Sequence, residues 1–396
     1  MSSTAVDLNF DDVPEHRRTK HVHRLHPYLG KFIPQLVEWF LARYFRPDDI
    51  ILDPFMGSGT TLIQGHEMGI HTIGIDISPF NCLIARVKAD RYHPGEVRRE
   101  VTDIERHVTA FSKRLTSPAL PLFDDGLDDS VSSLLEECTS AYLKAWFAPR
   151  ALLEILAYRR MIPRYYYQDL LRVILSRSAR SSRLVPHDRL ADQKTPLQAG
   201  KEYWCRKHRR LCVPVDTSVP KIRAYSSDTL RRIAEFSNLR SDKTITIIQG
   251  DARTVDLHTE LHHTPASYRL IDGIFTSPPY LGMIDYHDQH TYAYELFGFQ
   301  RFDHLEIGPK KRGQSQQAKH EYIDSMIKVL RNVLPFVKYD GKIFVVVNDR
   351  FNLYPEIAAG SGLKIVDQLY RDVTRRTRSG NAYQEAVLVM MRDTEL

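Results

Sequence analysis

Short apolar runs alternate with stretches in which hydrophobic residues recur every three or four positions, and this alternation marks strands and helices at both ends of the chain. Leu36, Val37, Phe40, Leu41, Tyr44 and Phe45 share one face of a helix that opens at Pro34 and ends at Pro47-Asp48-Asp49. Ile50-Ile51-Leu52 predicts a buried strand that stops at Asp53-Pro54. Gly57-Ser58-Gly59-Thr60-Thr61 then turns the chain into a helix that closes near Gly69. His71 to Ile75 predicts a second strand ending in Asp76, and Phe80, Leu83, Ile84 and Val87 form the buried face of the next helix. This is one βαβα half of a doubly wound sheet.

Strand signals disappear between Ala89 and Asp242, where Leu143 to Leu175 reads as amphipathic helices carrying Trp146, Phe147, Tyr165, Tyr166 and Tyr167. Strands resume at Thr244 to Ile248, Leu270 to Phe275 and Lys342 to Val347. A last pair, Lys364 to Tyr370 and Ala386 to Met391, flanks a basic stretch from Arg371 to Gly380 and suits an antiparallel edge hairpin. The expected organisation is a polar tail at 1–20, one α/β sheet domain from 21–95 and 242–396, and a helical insertion at 96–241.

The chain has 396 residues, 42% hydrophobic and 26% charged, which excludes disorder as its general state. No apolar run approaches the roughly 18 to 20 residues of a membrane span, and the acidic N-terminus lacks the order of a signal peptide. A cytoplasmic protein with no membrane partner is expected. Four cysteines are too few for a disulfide framework. Net charge is +6, but residues 151 to 240 hold 19 Lys or Arg against 8 Asp or Glu, so the rest of the chain is slightly acidic. That block is either a solvated helical surface or the footprint of a polyanion.

Ligands of open α/β sheets bind beyond the carboxyl ends of the strands, so Asp53, Asp76, Asp251 and the turn at Ser277 are expected on one rim. The glycine turn lacks the Lys of a phosphate cradle, which argues against a nucleotide hydrolase. It offers close backbone approach and a helix N-terminus. Asp76, about 20 residues beyond, is placed to accept hydrogen bonds from a ribose. In Thr276-Ser277-Pro278-Pro279-Tyr280 the paired prolines remove two backbone donors, so the carbonyls there point outward as acceptors beside an aromatic ring. Such a socket suits an amino group on a flat ring.

Asp53-Pro54-Phe55-Met56-Gly57-Ser58-Gly59-Thr60-Thr61, together with Thr276-Ser277-Pro278-Pro279-Tyr280, resembles the S-adenosylmethionine-dependent DNA methyltransferases that modify exocyclic amino groups. The resemblance covers roughly residues 20 to 90 and 243 to 395 and implies a Rossmann-like methyltransferase sheet. It implies that Phe55, Gly57 and Gly59, within the motif that also holds Asp53 and Thr60, receive the methionine end of the cofactor, that Asp76 holds the ribose, and that Asp251 faces the adenine. His26-Pro27-Tyr28-Leu29-Gly30-Lys31-Phe32-Ile33-Pro34 is similar to the family's upstream cofactor segment, which brings in His26 and Tyr28. The order of motifs is similar to the α-type, except that the insertion falls before the strand leading to Asp251. Ser277 at the first position of the catalytic motif is typical of N4-cytosine enzymes, whereas Asp or Asn is typical of N6-adenine enzymes.

The chemistry needs alignment rather than a covalent intermediate, so no catalytic cysteine is expected. Acceptors at Ser277 and Pro278, followed by Pro279, would draw the amine toward a pyramidal, nucleophilic nitrogen, and Tyr280 would stack on a base flipped from the duplex. The expected activity is N4-cytosine methylation of double-stranded DNA on the nucleoid, either with a cognate restriction endonuclease as functional partner or as a solitary methylase; N6-adenine methylation, RNA base methylation and a silent nucleic-acid-binding protein are the alternatives. Leu281 to His287 either closes over the base or starts a helix. Lys310-Lys311-Arg312 and Arg375-Arg376-Thr377-Arg378 are candidates for phosphate contact. Cys205, His208 and Cys212 match no common zinc spacing and have no evident fourth ligand, so no metal is expected; the Arg206, Lys207, Arg209 and Arg210 among them, beside Tyr203 and Trp204, suit backbone contact and stacking on nucleic acid.

Overall fold

A computed structural model of the chain describes residues 8–28, 32–116, 127–190, 194–262, 264–267, 269–373 and 383–393. Seven strands form the main sheet: β1 (Ile50–Asp53), β2 (His71–Asp76), β5 (Ile245–Gln249), β6 (Ile271–Thr276), β7 (Val337–Val347), β8 (Leu363–Val373) and β9 (Tyr383–Arg392), while β3 (Tyr203–Cys205) and β4 (Arg210–Cys212) pair separately. The order across the sheet is β5-β2-β1-β6-β7-β9-β8. The first five run parallel to one another, and β9 runs antiparallel to both β7 and β8. The expected α/β architecture, with its antiparallel hairpin at the edge, is therefore the observed one.

Alternation along β1 explains why the sheet is covered on both faces. Ile51 joins Leu36, Val37, Phe40 and Leu41 of the helix Pro34–Tyr44 in one apolar layer, whereas Ile50 and Leu52 face the helices Gln316–Val333 and Tyr354–Gly360 in the other. The order also places β1, beside the glycine turn, directly against β6, which leads into the Ser277 loop.

The insertion is built mainly from the helices Pro94–Arg114, Pro149–Met161, Gln168–Ser182 and Val219–Ser237. It shares one hydrophobic cluster with Phe80, Leu83, Ile84 and Val87 of the helix Pro79–Ala89, so its apolar faces lie on the helical layer of the sheet. Buried Glu154 holds its centre together, accepting from Ser112 Oγ (2.5 Å), Thr217 Oγ1 (2.8 Å) and the backbone N–H groups of Ser218 (2.5 Å) and Val219 (3.2 Å) at a helix N-terminus. The segment leaves and returns at one place. Arg240 donates to the carbonyls of Ala89 (2.5 Å) and Asp90 (2.9 Å), and Arg91 donates to that of Ser241 (3.1 Å).

Two expectations about organisation change. The polar tail does not extend to residue 20, because Leu8 is buried against the cluster around Phe40 and Lys20 pairs with Glu67 at 2.7 Å. The insertion is not free of strands, since β3 and β4 form an antiparallel hairpin within it. Their three-residue lengths leave no period for a sequence to display.

Candidate active site

The carboxyl ends of β1, β2, β5 and β6 converge on a cleft of about 870 Å³, its open side included. Its walls include Tyr28, Asp53, Phe55, Gly57, Thr60, Asp76, Asp251, Ser277 and Pro279. The glycine turn and the Ser-Pro-Pro-Tyr loop, more than two hundred residues apart in the chain, thus open into the same space.

Backbone conformation explains the glycines. Gly57 has φ +50° and Gly59 φ +77°, a region that costs a side-chain-bearing residue roughly 1 to 2 kcal/mol. A Cβ on Gly57 would also stand 3.2 Å from the Tyr28 ring. Gly59 ends the turn and precedes the helix Thr60–Glu67. Gly57 N–H donates to Asp76 Oδ2 at 3.0 Å, and Ser78 N–H (2.8 Å) and Asn81 Nδ2 (3.1 Å) donate to Oδ1. Burial pushes the Asp76 carboxyl up to about 6, against these three bonds that pull it down. Asp53 is pushed up to about 6 for the same reason, with the Thr276 hydroxyl and the Phe55 N–H opposing the rise.

Not every expected residue reaches the cleft. His26 is fully buried behind the wall, its Nδ1 2.9 Å from the Pro27 carbonyl and its Nε2 3.2 Å from Tyr292 Oη, and burial, then His290, holds its imidazole well below the usual histidine range. Its ring packs against Phe80 and His290 rather than lining the cleft. Gly59 and Pro278 also lie outside the lining. Asp251 is on the wall, but its carboxylate is engaged by Arg253, with Nε at 2.9 Å from Oδ1 and Nη2 at 2.6 Å from Oδ2. Leu29, Gly30, Lys31 and the stretch Arg375 to Gly380 fall outside the described residues.

Tyr280 lines a second, smaller pocket of about 320 Å³ with Met283, Phe351 and Tyr354, next to the first. Its hydroxyl donates to Glu385 Oε1 at 3.1 Å and accepts from Ser277 Oγ at 3.4 Å. Tyr322 Oη donates to the Pro279 carbonyl at 2.9 Å. The segment after the catalytic turn divides between the two spaces: Leu281 and Met283 line the second, Tyr286 and His287 the first. Lys310–Arg312 forms a single turn of 3-10 helix in which Lys311 meets Asp303 (3.4 Å) and Arg312 meets Glu321 (3.6 Å).

Sequence reasoning missed the opposite wall, Leu305-Glu306-Ile307, together with Ser58 and Asn81. No motif marks Glu306, which is buried and bonded to His287. Asn81 lies on the helix after Asp76, where a polar residue among Phe80, Leu83 and Ile84 was the available signal. Ser58 Oγ, Asn81 Oδ1 and Glu306 Oε2 are buried on this lining with no hydrogen-bond partner among the described residues. Three orphaned polar atoms around a left-handed glycine turn fit a ligand that is part nucleoside and part amino acid, as S-adenosylmethionine is.

Part of the insertion's positive charge is consumed internally. Asp228 pairs with Arg177 (2.7 Å), Arg231 (2.7 Å) and Arg232 (2.8 Å). Arg206, Lys207, Arg209 and Arg210 of the β3–β4 hairpin are exposed. No helix among the described residues is long and apolar enough to cross a membrane.

Comparison with known proteins agrees with this geometry. Residues 9–87 match the family model for DNA methylases of the N6/N4 type. The chain is 44% identical to the type II methyltransferase M.MjaII of Methanocaldococcus jannaschii, across 96% of this chain and 82% of that one. It is 24% identical to M.BsoBI of Geobacillus stearothermophilus across 94% of this chain and 69% of that one. A shorter match, 36% identical over 21% of this chain and 19% of the other, links it to M.MvaI of Kocuria varians. With its two motifs on one cleft and a relative of this identity along nearly its whole length, the chain belongs to the type II DNA amino-methyltransferases, whose methyl donor is S-adenosylmethionine.

Proposed function

We propose that this protein methylates the exocyclic N4 amine of a cytosine flipped out of double-stranded DNA, as the modification half of a restriction system in the cytoplasm. The observation that carries the reading is that Ser277 and Pro279 share one cleft with Gly57 and Asp76. A direct transfer needs acceptor and donor aligned within reach of each other, and little else.

When bound, S-adenosylmethionine supplies an electrophilic methyl group on a sulfonium and departs as a neutral thioether. Asp76 accepts from the ribose hydroxyls, while Phe55, Gly57 and Ser58 receive the methionine end. Gly250 to Ala252, with Leu305 and Ile307, close around the adenine; the Arg253 pair leaves Asp251 to shape that end rather than to accept from the ring. Ser277 Oγ, on the lining, accepts from one amine hydrogen of the base, and the Pro278 carbonyl, just behind it in the same turn, accepts from the other once the base is seated. This draws the nitrogen lone pair out of conjugation and toward the methyl; as the carbon–sulfur bond breaks and the carbon–nitrogen bond forms, one amine proton passes to water, so that the methylated base is neutral. Tyr280 and Phe351, which line one pocket beside Ser277, hold the flipped ring. Stacking at ~1 to 3 kcal/mol per base offsets much of the few kcal/mol that flipping costs.

The choice of cytosine rests on Ser277, where the family's adenine enzymes typically carry Asp or Asn. The test is transfer of tritiated methyl to duplex DNA, followed by digestion and mass spectrometry of the nucleosides. N4-methylcytosine is expected. N6-methyladenine would overturn the base assignment, and label appearing only on RNA would overturn the substrate.

A further inference from the structure

Two elements of the insertion bring together four metal-ligating side chains, none of which lines the cleft. Cys205 ends β3, Cys212 ends β4, and His208 stands in the turn between them. The fourth, His187, comes from the segment that follows the helix Gln168–Ser182. One donor atom from each lies within 4.8 Å of all the others. Cys205 Sγ is 3.7 Å from His187 Nδ1 and 3.6 Å from His208 Nδ1, and His208 Nδ1 is 3.4 Å from Cys212 Sγ. A tetrahedral zinc with its usual bond lengths to sulfur and nitrogen spaces neighbouring S and N ligands about 3.6 Å apart. These separations match such a coordination shell.

The hairpin is also too small to order itself. Its two strands are three residues long, and a hairpin alone is marginal in water. Trp204 is 62% exposed and Leu211 57%, so its apolar side chains do not form a core. Only Cys205 is buried on it, at the centre of the cluster. Tyr203 Oη accepts from the His187 N–H at 3.1 Å, which fixes the incoming segment against the hairpin. Arg209 closes the turn with φ 52°, a conformation that a residue with a side chain adopts only when its surroundings impose it.

We propose that His187, Cys205, His208 and Cys212 bind a structural zinc ion that pins the basic hairpin to the body of the insertion. Two thiolates and two imidazoles complete the tetrahedron and leave no open position, so the ion serves the fold and not the reaction. The four cations Arg206, Lys207, Arg209 and Arg210 are then presented on a fixed knuckle. The inference stands on its own geometry and is independent of which base is methylated.

Full-length protein purified without chelator and dialysed is expected to carry close to one zinc per chain by elemental mass spectrometry. Replacing the zinc by cobalt should give the visible absorption of a tetrahedral thiolate site. The double variant Cys205→Ser, Cys212→Ser should lose the metal yet still bind S-adenosylmethionine in calorimetry, which shows that it is folded. Wild-type protein with under a tenth of an equivalent after growth in zinc-supplemented medium, or a double variant with undiminished zinc, would overturn the proposal.

Discussion

Thr276 Oγ1 donates a 2.6 Å hydrogen bond to Asp53 Oδ1, joining the ends of two adjacent strands whose residues lie 223 apart in sequence. The bond ties the strand before the glycine turn to the strand that leads into the Ser277 loop. It also opposes the burial that raises Asp53 to about 6. Thr276→Val removes the donor, so the Asp53 carboxyl rises further. A carboxyl whose folded pKa is raised costs stability as pH climbs from its unfolded value near 4 through its folded value, and that cost persists above it. The variant should therefore lose about 1 to 3 kcal/mol at pH 8 and less at pH 5, where Asp53 is already protonated. Urea unfolding at the two pH values measures this; equal losses would show that the bond does not act through the carboxylate.

Asp76 gives the cofactor site a pH dependence of its own. Its carboxyl is raised to about 6, and ribose hydroxyls favour the ionised form as acceptor. Affinity for S-adenosylmethionine should be flat above pH 7 and fall toward tenfold per unit below about 6. Asp76→Asn should bind more weakly at pH 8, and the slope below pH 6 should be reduced. Calorimetry across pH 5 to 8 is the measurement, and a slope unchanged by the substitution would remove Asp76 as its source.

Tyr280 faces the second pocket and not the cofactor cleft. Tyr280→Ala should lower turnover on DNA about 10- to 100-fold, the equivalent of ~1 to 3 kcal/mol of stacking, with cofactor affinity within a factor of two. Tyr280→Phe keeps the ring, loses the hydroxyl's bonds to Glu385 and Ser277, and should retain most of the activity. Steady-state kinetics on duplex DNA would reject the base-stacking role if both variants behaved alike.

Glu154 supports the insertion from inside. It is fully buried, and its removal leaves Ser112, Thr217 and the start of the helix Val219–Ser237 without their acceptor, and Arg150 without its carboxylate. Glu154→Ala should destabilise by about 3 to 5 kcal/mol in chemical denaturation. A loss under 1 kcal/mol would mean that water replaces the carboxylate.

The sheet was legible because β1, β2, β5 and β6 are short, mostly apolar runs closed by Asp, Gly or Pro, and because β1 and β6 lead into motifs whose residue types are chemically constrained. The cofactor wall was legible only in part. Gly57 and Asp76 are set by local backbone and strand position, which a sequence displays. Leu305, Glu306 and Ile307 arrive through tertiary folding from a loop without period, and nothing local distinguishes them. His26 misled for the opposite reason: it lies beside Tyr28 in sequence, yet its ring turns into the core to meet Tyr292. His187 was invisible as a neighbour of Cys205 because the approach of two segments, not a spacing, brings them together.

The bonds of Arg240 to Ala89 and Asp90, and of Arg91 to Ser241, make the base of the insertion a closed neck. A segment hung on such a neck is a cassette: another with the same two ends can replace it while β2 and β5 keep their register. It cannot simply be cut away, because Phe80, Leu83, Ile84 and Val87 would then face water. Change in this part is thereby limited to exchange for an equivalent that covers the same apolar helix, with the strands that line the cleft left in place.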